Sequence, residues 1–172
     1  YDLYSSFVPD DKEHEAYHKT SIGFLTRGCF RKCPFCVNQN YNRVVHASPL
    51  KEFLDVNRPK ITLLDDNFLG YYGWRPLFEE LQATQKRFRF KQGLDERLLD
   101  DEKCELLFSK FTRWDGDWTF AFDKVEDYDL IRSKLELIRR HTTTKSIKFY
   151  VLVGFRSTDA GDIAAAFRRI NL

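Results

Sequence analysis

Lys60-Ile61-Thr62-Leu63-Leu64-Asp65-Asp66-Asn67 is an apolar run closed by three polar residues. The run reads as a β-strand, and its polar end as the loop leaving the strand's carboxyl terminus. Trp74, Leu77, Phe78 and Leu81 then recur at helical spacing, and Phe88-Arg89-Phe90 forms the next β-run, with alternating aromatics. Strand, helix and strand within residues 60–90 make one βαβ unit.

The same unit repeats in both directions. Upstream, Ser21-Ile22-Gly23-Phe24-Leu25-Thr26 reads as the first strand, and Ser48-Pro49-Leu50 opens a short helix with Ser48 as cap and Pro49 in its first turn. Downstream, Asp100 caps a helix whose buried stripe is Cys104, Leu107, Phe108 and Phe111. Residues 118–122 are a fourth strand, Tyr128, Ile131, Leu135 and Ile138 a helical stripe, and residues 147–153 a fifth strand. Ile163, Phe167 and Ile170 begin a further helix. From residue 60 onward the β-runs recur about every 29 residues, with one helix between each pair. This predicts an α/β fold with a parallel sheet, its strands apolar on nearly every residue and so buried on both faces. An open doubly wound sheet and a curved, partial (β/α) barrel both fit. Residues 1–19 read as an irregular lead-in and residues 20–172 as one core domain of about five βα units.

In either architecture, function belongs at the carboxyl ends of the strands. Polar and glycine residues collect there after each strand. They are Arg27, Gly28 and the cysteines; Asp65, Asp66 and Asn67; Gln92, Gly93, Asp95 and Arg97; Asp123; and Gly154 with Arg156. Asp65 and Asn67 share parity, so both can point to one face.

Composition narrows the function classes. The 172 residues are 42% hydrophobic and 31% charged, as in a globular protein rather than a disordered one. Twenty-eight Lys+Arg against twenty-six Asp+Glu give no general drive toward nucleic acid. The stretch Arg87-Phe88-Arg89-Phe90-Lys91 is basic and aromatic, but its phenylalanines alternate as strand core residues do. No apolar run approaches the roughly 18 residues that span a bilayer, and no signal peptide opens the chain, so a cytoplasmic protein without membrane contact is expected. The chain contains no Met and opens at Tyr1, as a fragment does, or a sequence whose modified methionines were dropped.

Cys29, Cys33 and Cys36 crowd into eight residues, while Cys104 falls alone on an apolar helical stripe and reads as a buried structural cysteine. In a reducing compartment, three thiolates at this spacing suit a metal far better than disulfides. They select zinc or an iron–sulfur cluster. Zinc wants four protein ligands, for which His18 and His46 are the nearest further candidates. A four-iron cluster held by three thiolates leaves one iron open. Arg27, Arg31 and Lys32 surround the loop with positive charge, which favours thiolate over thiol.

Cys-x3-Cys-x2-Cys with an aromatic, Phe35, just before the third cysteine resembles the cluster loop of the radical S-adenosylmethionine (SAM) superfamily, where it follows the first strand of a partial βα barrel. The likeness continues through residues 20–29, Leu-Leu-Asp-x-Asn at 63–67, Gln-Gly-Leu-Asp-x-Arg-Leu at 92–98, Phe-Ala-x-Asp at 120–123 and Tyr-Val-Leu-x-x-Phe at 150–155, segments similar to an uncharacterised branch of that superfamily. The resemblance implies a 4Fe-4S cluster on Cys29, Cys33 and Cys36, with SAM bound at the open iron. It implies reductive cleavage of SAM to start radical chemistry on an unidentified substrate, with electrons from a donor such as ferredoxin or flavodoxin. On the same basis Asp65 and Asn67 hold the amino group of SAM, Gln92, Asp95 and Arg97 its ribose and carboxylate, and Gly154 lets backbone approach the adenine. Phe35 and Asp123 complete the cofactor-binding set. The superfamily core has six βα units, so the barrel is expected to be incomplete at the C-terminal end. Two other functions fit the same residues: a metal- or cluster-binding scaffold without SAM cleavage, and radical modification of tRNA.

Overall fold

A computed structural model of the chain describes residues 18–155 and 157–172. Residues 1–17 of the expected lead-in, and Arg156 of the expected rim, lie outside the described residues. Three strands, β1 (Thr20–Gly23), β4 (Lys60–Leu63) and β5 (Arg87–Phe90), form a parallel sheet in the order β1-β4-β5. The register pairs Gly23 with Leu63 and Leu63 with Phe90, so the carboxyl ends of all three strands are level. β1 is an edge strand beside β4, as the βα reading requires.

The first strand is shorter than expected. After Gly23 the chain leaves the sheet, and a separate two-residue strand, β2 (Thr26–Arg27), pairs antiparallel with β3 (Val45–His46). The break has a specific cause. Asp65 turns back, and its carboxylate accepts from Leu25 N, Thr26 N and Thr26 Oγ1, at 3.2, 2.6 and 2.6 Å. These bonds replace the sheet ladder, whose last rung is Leu64 N to Gly23 O. Gly23 is needed here for space: a Cβ would come within 2.3 Å of the Phe53 ring.

β6 (Trp118–Ala121) and β7 (Ile147–Tyr150) form a second parallel pair. The expected single curved sheet is therefore split, and the described residues form no closed barrel. The reason lies at the outer edge of β5. Residues 113–115 occupy it, with Phe88 N donating to Arg113 O and Asp115 N to Phe88 O. β6 starts only after the turn at Gly116 and reaches the first sheet through Leu94 N to Thr119 O. Aromatic packing fills the junction. Trp114 stacks on Trp118 with centroids 3.7 Å apart, and the edge of Phe88 meets Trp114 at 6.0 Å. Phe88 and Phe90 are buried, which confirms the core reading of the basic aromatic stretch. Each such ring contributes about 2–3 kcal/mol of burial.

Burial on both faces holds for β4 but not for β7, where Lys148 and Tyr150 are exposed. The ladder of β7 also ends at Tyr150 rather than continuing to residue 153.

The helices are α1 (Trp74–Ala83), α2 (Asp101–Leu107), α3 (Tyr128–His141) and α4 (Ala160–Ile170). Asp100 caps α2 by accepting from Lys103 N at 2.8 Å, as expected. Cys104 is fully buried there, but α2 ends at Leu107, so Phe111 lies beyond it and is 64% exposed. Ser48 caps nothing. Its hydroxyl donates to Phe24 O, and the expected short helix is a single 3₁₀ turn, Leu50–Glu52.

α4 is turned the other way from its apolar stripe. Ile163, Phe167 and Ile170 are 42, 60 and 60% exposed, while Ala166 and Arg169 face inward. Beyond the last rung, Phe122 N to Tyr150 O, the ends of β6 and β7 splay. Arg169 bridges the freed carbonyls, donating to Phe122 O at 2.9 Å and Leu152 O at 2.8 Å. Satisfying the buried Phe122 carbonyl and the part-buried Leu152 carbonyl decides the helix orientation over hiding three apolar side chains. No helix among the described residues is long and apolar enough to cross a membrane.

Candidate metal centre

The cysteine loop leaves β2 through Gly28, whose φ is +92°. A Cβ at Gly28 would strike Tyr41 at 2.6 Å and Arg43 O at 2.7 Å, so only glycine permits this exit. Asp66, from the end of β4, then fastens both ends of the loop. Its carboxylate accepts from Gly28 N and from Asn38 Nδ2, each at 2.7 Å. Within the loop, Cys36 N donates to Cys33 O at 3.0 Å, forming a turn that keeps these two cysteines adjacent.

A second carboxylate holds the middle. Asp95, from the loop after β5, accepts from Arg31 Nε at 2.6 Å, Arg97 Nε at 2.7 Å and Asn67 Nδ2 at 3.2 Å. Burial alone would raise the Asp95 carboxyl, but the Arg97 and Arg31 bonds outweigh it and hold it below the usual range. The ends of β4 and β5 thus pin the loop at three points.

The three thiols sit in unequal surroundings, all half-buried. Cys29 Sγ accepts from Arg31 N at 3.4 Å and Asn67 Nδ2 at 3.3 Å, and Cys36 Sγ accepts from Asn38 N at 3.4 Å. Burial pushes the Cys33 thiol up, with Arg97 the largest opposing influence. The basic residues of the loop make contacts of their own. Arg31 binds Asp95, Arg27 lies over the Phe24 ring, and Lys32 Nζ donates to Gln39 O.

Beside the loop lies an open cavity of about 370 Å³, walled by Phe35, Asp123, Asp127, Gly154, Phe155 and Arg169 among others. Phe35 and Phe155 meet edge to face, with centroids 5.6 Å apart, and join the cysteine loop to the segment after β7. Burial raises the Asp123 carboxyl, partly offset by Arg97 and Arg169. Gly154 has φ +73°, but a Cβ there would meet only Thr158 Cγ2 at 3.4 Å, so the backbone turn, not crowding, calls for glycine.

The expected site residues therefore divide. Phe35, Asp123 and Gly154 reach the cavity. Asn67 and Asp95 reach the cysteine loop. Asp65 is 0% exposed with its oxygens committed to the strand break, and burial raises its carboxyl despite those bonds. The shared parity of Asp65 and Asn67 does not bring them to one place, because Asp65 already lies beyond the regular strand. Arg97 is paired with Asp95 and lies 3.6 Å from Asp127, and the side chain of Gln92 is exposed.

Sequence reading missed three residues. Asp66 stood on the rim, but nothing signalled the two hydrogen bonds it accepts from the loop. Glu96 is buried beside Asp95, its Oε2 accepting from Ala121 N at 3.2 Å. An acid inside the otherwise apolar frame of Leu94, Leu98 and Leu99 was the available signal. Arg169 had none, since the helical pattern favoured the opposite face.

Among the described residues, no three or more His, Cys, Asp or Glu side chains converge on a single metal position. His46 packs by Tyr71, with ring centroids 6.3 Å apart, rather than against the cysteines. The donor types are those an iron–sulfur cluster takes: three thiols on one loop, two of them accepting N–H···S hydrogen bonds. Asn67, whose Nδ2 donates to Cys29 Sγ, has a buried amide oxygen, Oδ1, without a hydrogen-bond partner. Comparison with protein-family models finds no match, and comparison with curated proteins finds no relative.

Proposed function

We propose that the chain is the core of a radical SAM enzyme that binds a 4Fe-4S cluster through Cys29, Cys33 and Cys36. The observation that carries this reading is the placement of the cysteine loop. It stands at the carboxyl ends of parallel strands, fastened by Asp66 and Asp95, and borders a cavity rich in carboxylates. When bound, the cluster would supply one electron to cleave the sulfonium of SAM and start radical chemistry on a substrate.

The chain's own residues have these parts. Asp66 and Asp95 hold the loop so that the three thiolates are presented from a fixed backbone. Asn67 is held against Cys29 and Asp95 beside the loop. Asp123, Glu126 and Asp127 give the cavity wall a negative character suited to a sulfonium cation. Phe35 and Phe155, in edge-to-face contact, line the cavity on the side toward the cysteines. Asp65 and Arg97, both committed to protein partners, leave the SAM-binding set and act as fasteners. The electron donor is a low-potential one-electron carrier of the ferredoxin or flavodoxin kind.

Anaerobic reconstitution with iron and sulfide, followed by SAM and dithionite, tests the reading. About four irons per chain and release of 5′-deoxyadenosine are expected. Stoichiometric zinc in protein purified without oxygen, with no 5′-deoxyadenosine formed, would support the scaffold function instead.

A further inference from the structure

Asn67 carries a detail that the binding of SAM does not use. Its Nδ2 lies 3.2 Å from Asp95 Oδ2 and 3.3 Å from Cys29 Sγ. Asp95 decides which way the amide faces. Its carboxylate is bound by Arg31 and Arg97 and can only accept, so the amide nitrogen must face it and the oxygen must face away. The second hydrogen of that nitrogen is then directed at Cys29 Sγ. Asn67 is 4% exposed, so water does not compete for this donor. Cys29 alone among the three loop cysteines has a side-chain donor; Cys36 accepts from backbone, and no hydrogen bond reaches Cys33 Sγ among the described residues.

We propose that Asn67 is a positioning residue that sets the reduction potential of the cluster through its N–H···S bond to Cys29, an inference that rests on the cluster-binding reading above. One-electron reduction adds one negative charge to a cluster, and part of it resides on the thiolate sulfurs. A buried N–H aimed at one sulfur stabilises the reduced form more than the oxidised form. Arg31 and Arg97 act through Asp95, which keeps the donor aimed. Asn67 therefore eases electron acceptance from a low-potential carrier, and its removal makes the cluster harder to reduce.

The test compares wild type, Asn67→Leu and Asn67→Asp, each reconstituted anaerobically without SAM. Leu keeps the bulk and removes the donor, and Asp adds a negative charge. Iron per chain, thermal unfolding and a redox titration followed by absorbance are measured together. At a fixed potential near the wild-type midpoint, the reduced-to-oxidised ratio is expected to fall about three- to tenfold in Asn67→Leu and further in Asn67→Asp. Loaded variants that keep the wild-type ratio would overturn the inference, since a merely structural role lowers stability or iron content without moving the potential. Should neither variant assemble a cluster, wild type labelled with ¹⁵N only at the side-chain amides of asparagine must show coupling between the reduced cluster and Asn67 Nδ2 in pulsed EPR, the Asn38 side-chain amide being held by Asp66 instead, and its absence would overturn the inference equally. A wild-type chain that takes up no iron overturns the proposed function and this inference together. A loaded chain with an unmoved potential overturns this inference alone.

Discussion

Replacing Glu96 by Gln should make the protein more stable at neutral pH and leave it unchanged in acid. Glu96 is 1% exposed and spans the split between the two sheets. Its Oε2 accepts from Ala121 N, its Oε1 has no hydrogen-bond partner, and Arg97 Nε is 3.9 Å away. Burial raises its carboxyl from 4.5 to about 7 against the backbone hydrogen bonds that oppose the shift. Between these values the folded chain holds a proton that the unfolded chain has released, so stability falls as pH rises through this window and is level above it. The gap corresponds to about 3 kcal/mol. The amide of the Glu96→Gln variant is neutral throughout and can still accept from Ala121 N. Urea denaturation of both proteins from pH 4.5 to 8 measures the difference, and Asp65 and Asp123, also raised, cancel because both proteins carry them. Glu96→Gln should match wild type at pH 4.5 and exceed it by up to about 3 kcal/mol at pH 8, or roughly 6–12 °C in Tm. A stability difference that does not change with pH would refute the reasoning.

Asp66→Ala removes the acceptor at both ends of the cysteine loop; it should cost about 2–4 kcal/mol, speed hydrogen exchange at Gly28 and lower iron per chain. Cys104→Ala should keep full iron content while losing about 1–3 kcal/mol of stability, because that thiol is fully buried and pushed up to about 11 by burial. Loss of iron comparable to Cys33→Ala would give Cys104 a place among the ligands. On α4 the usual expectation reverses: Arg169→Met should cost about 2–4 kcal/mol by orphaning two carbonyls, while Phe167→Ser changes stability by less than about 1 kcal/mol in urea titrations.

The parts of the fold legible in the sequence are those set by neighbours along the chain. Asp100 caps α2 through a donor three residues away, and the apolar run 60–64 with the helix after it reads directly as a βα unit. The end of the first strand was not legible, because the carboxylate that stops it comes from Asp65, some 40 residues later. The orientation of α4 depends on carbonyls 17 and 47 residues from Arg169, and no helical periodicity encodes them. The candidate site divides in the same way. The cysteine spacing and the polar strand ends are local signals, so the loop and its surrounding acids could be named. Which acid binds which donor is a three-dimensional matter, and there Asp66 and Asp95 became the loop's fasteners while Asp65 went to the strand break.

In the proposed function the three loop cysteines hold a cluster with one iron open to SAM. EPR spectra of the reconstituted, dithionite-reduced chain, recorded with and without SAM labelled with ¹⁵N at its amino group, test it most directly. The expected result is a reduced-cluster signal that changes shape when SAM is added and shows coupling to the labelled nitrogen. A signal unaltered by SAM, or no cluster signal in a chain loaded with iron, would contradict it.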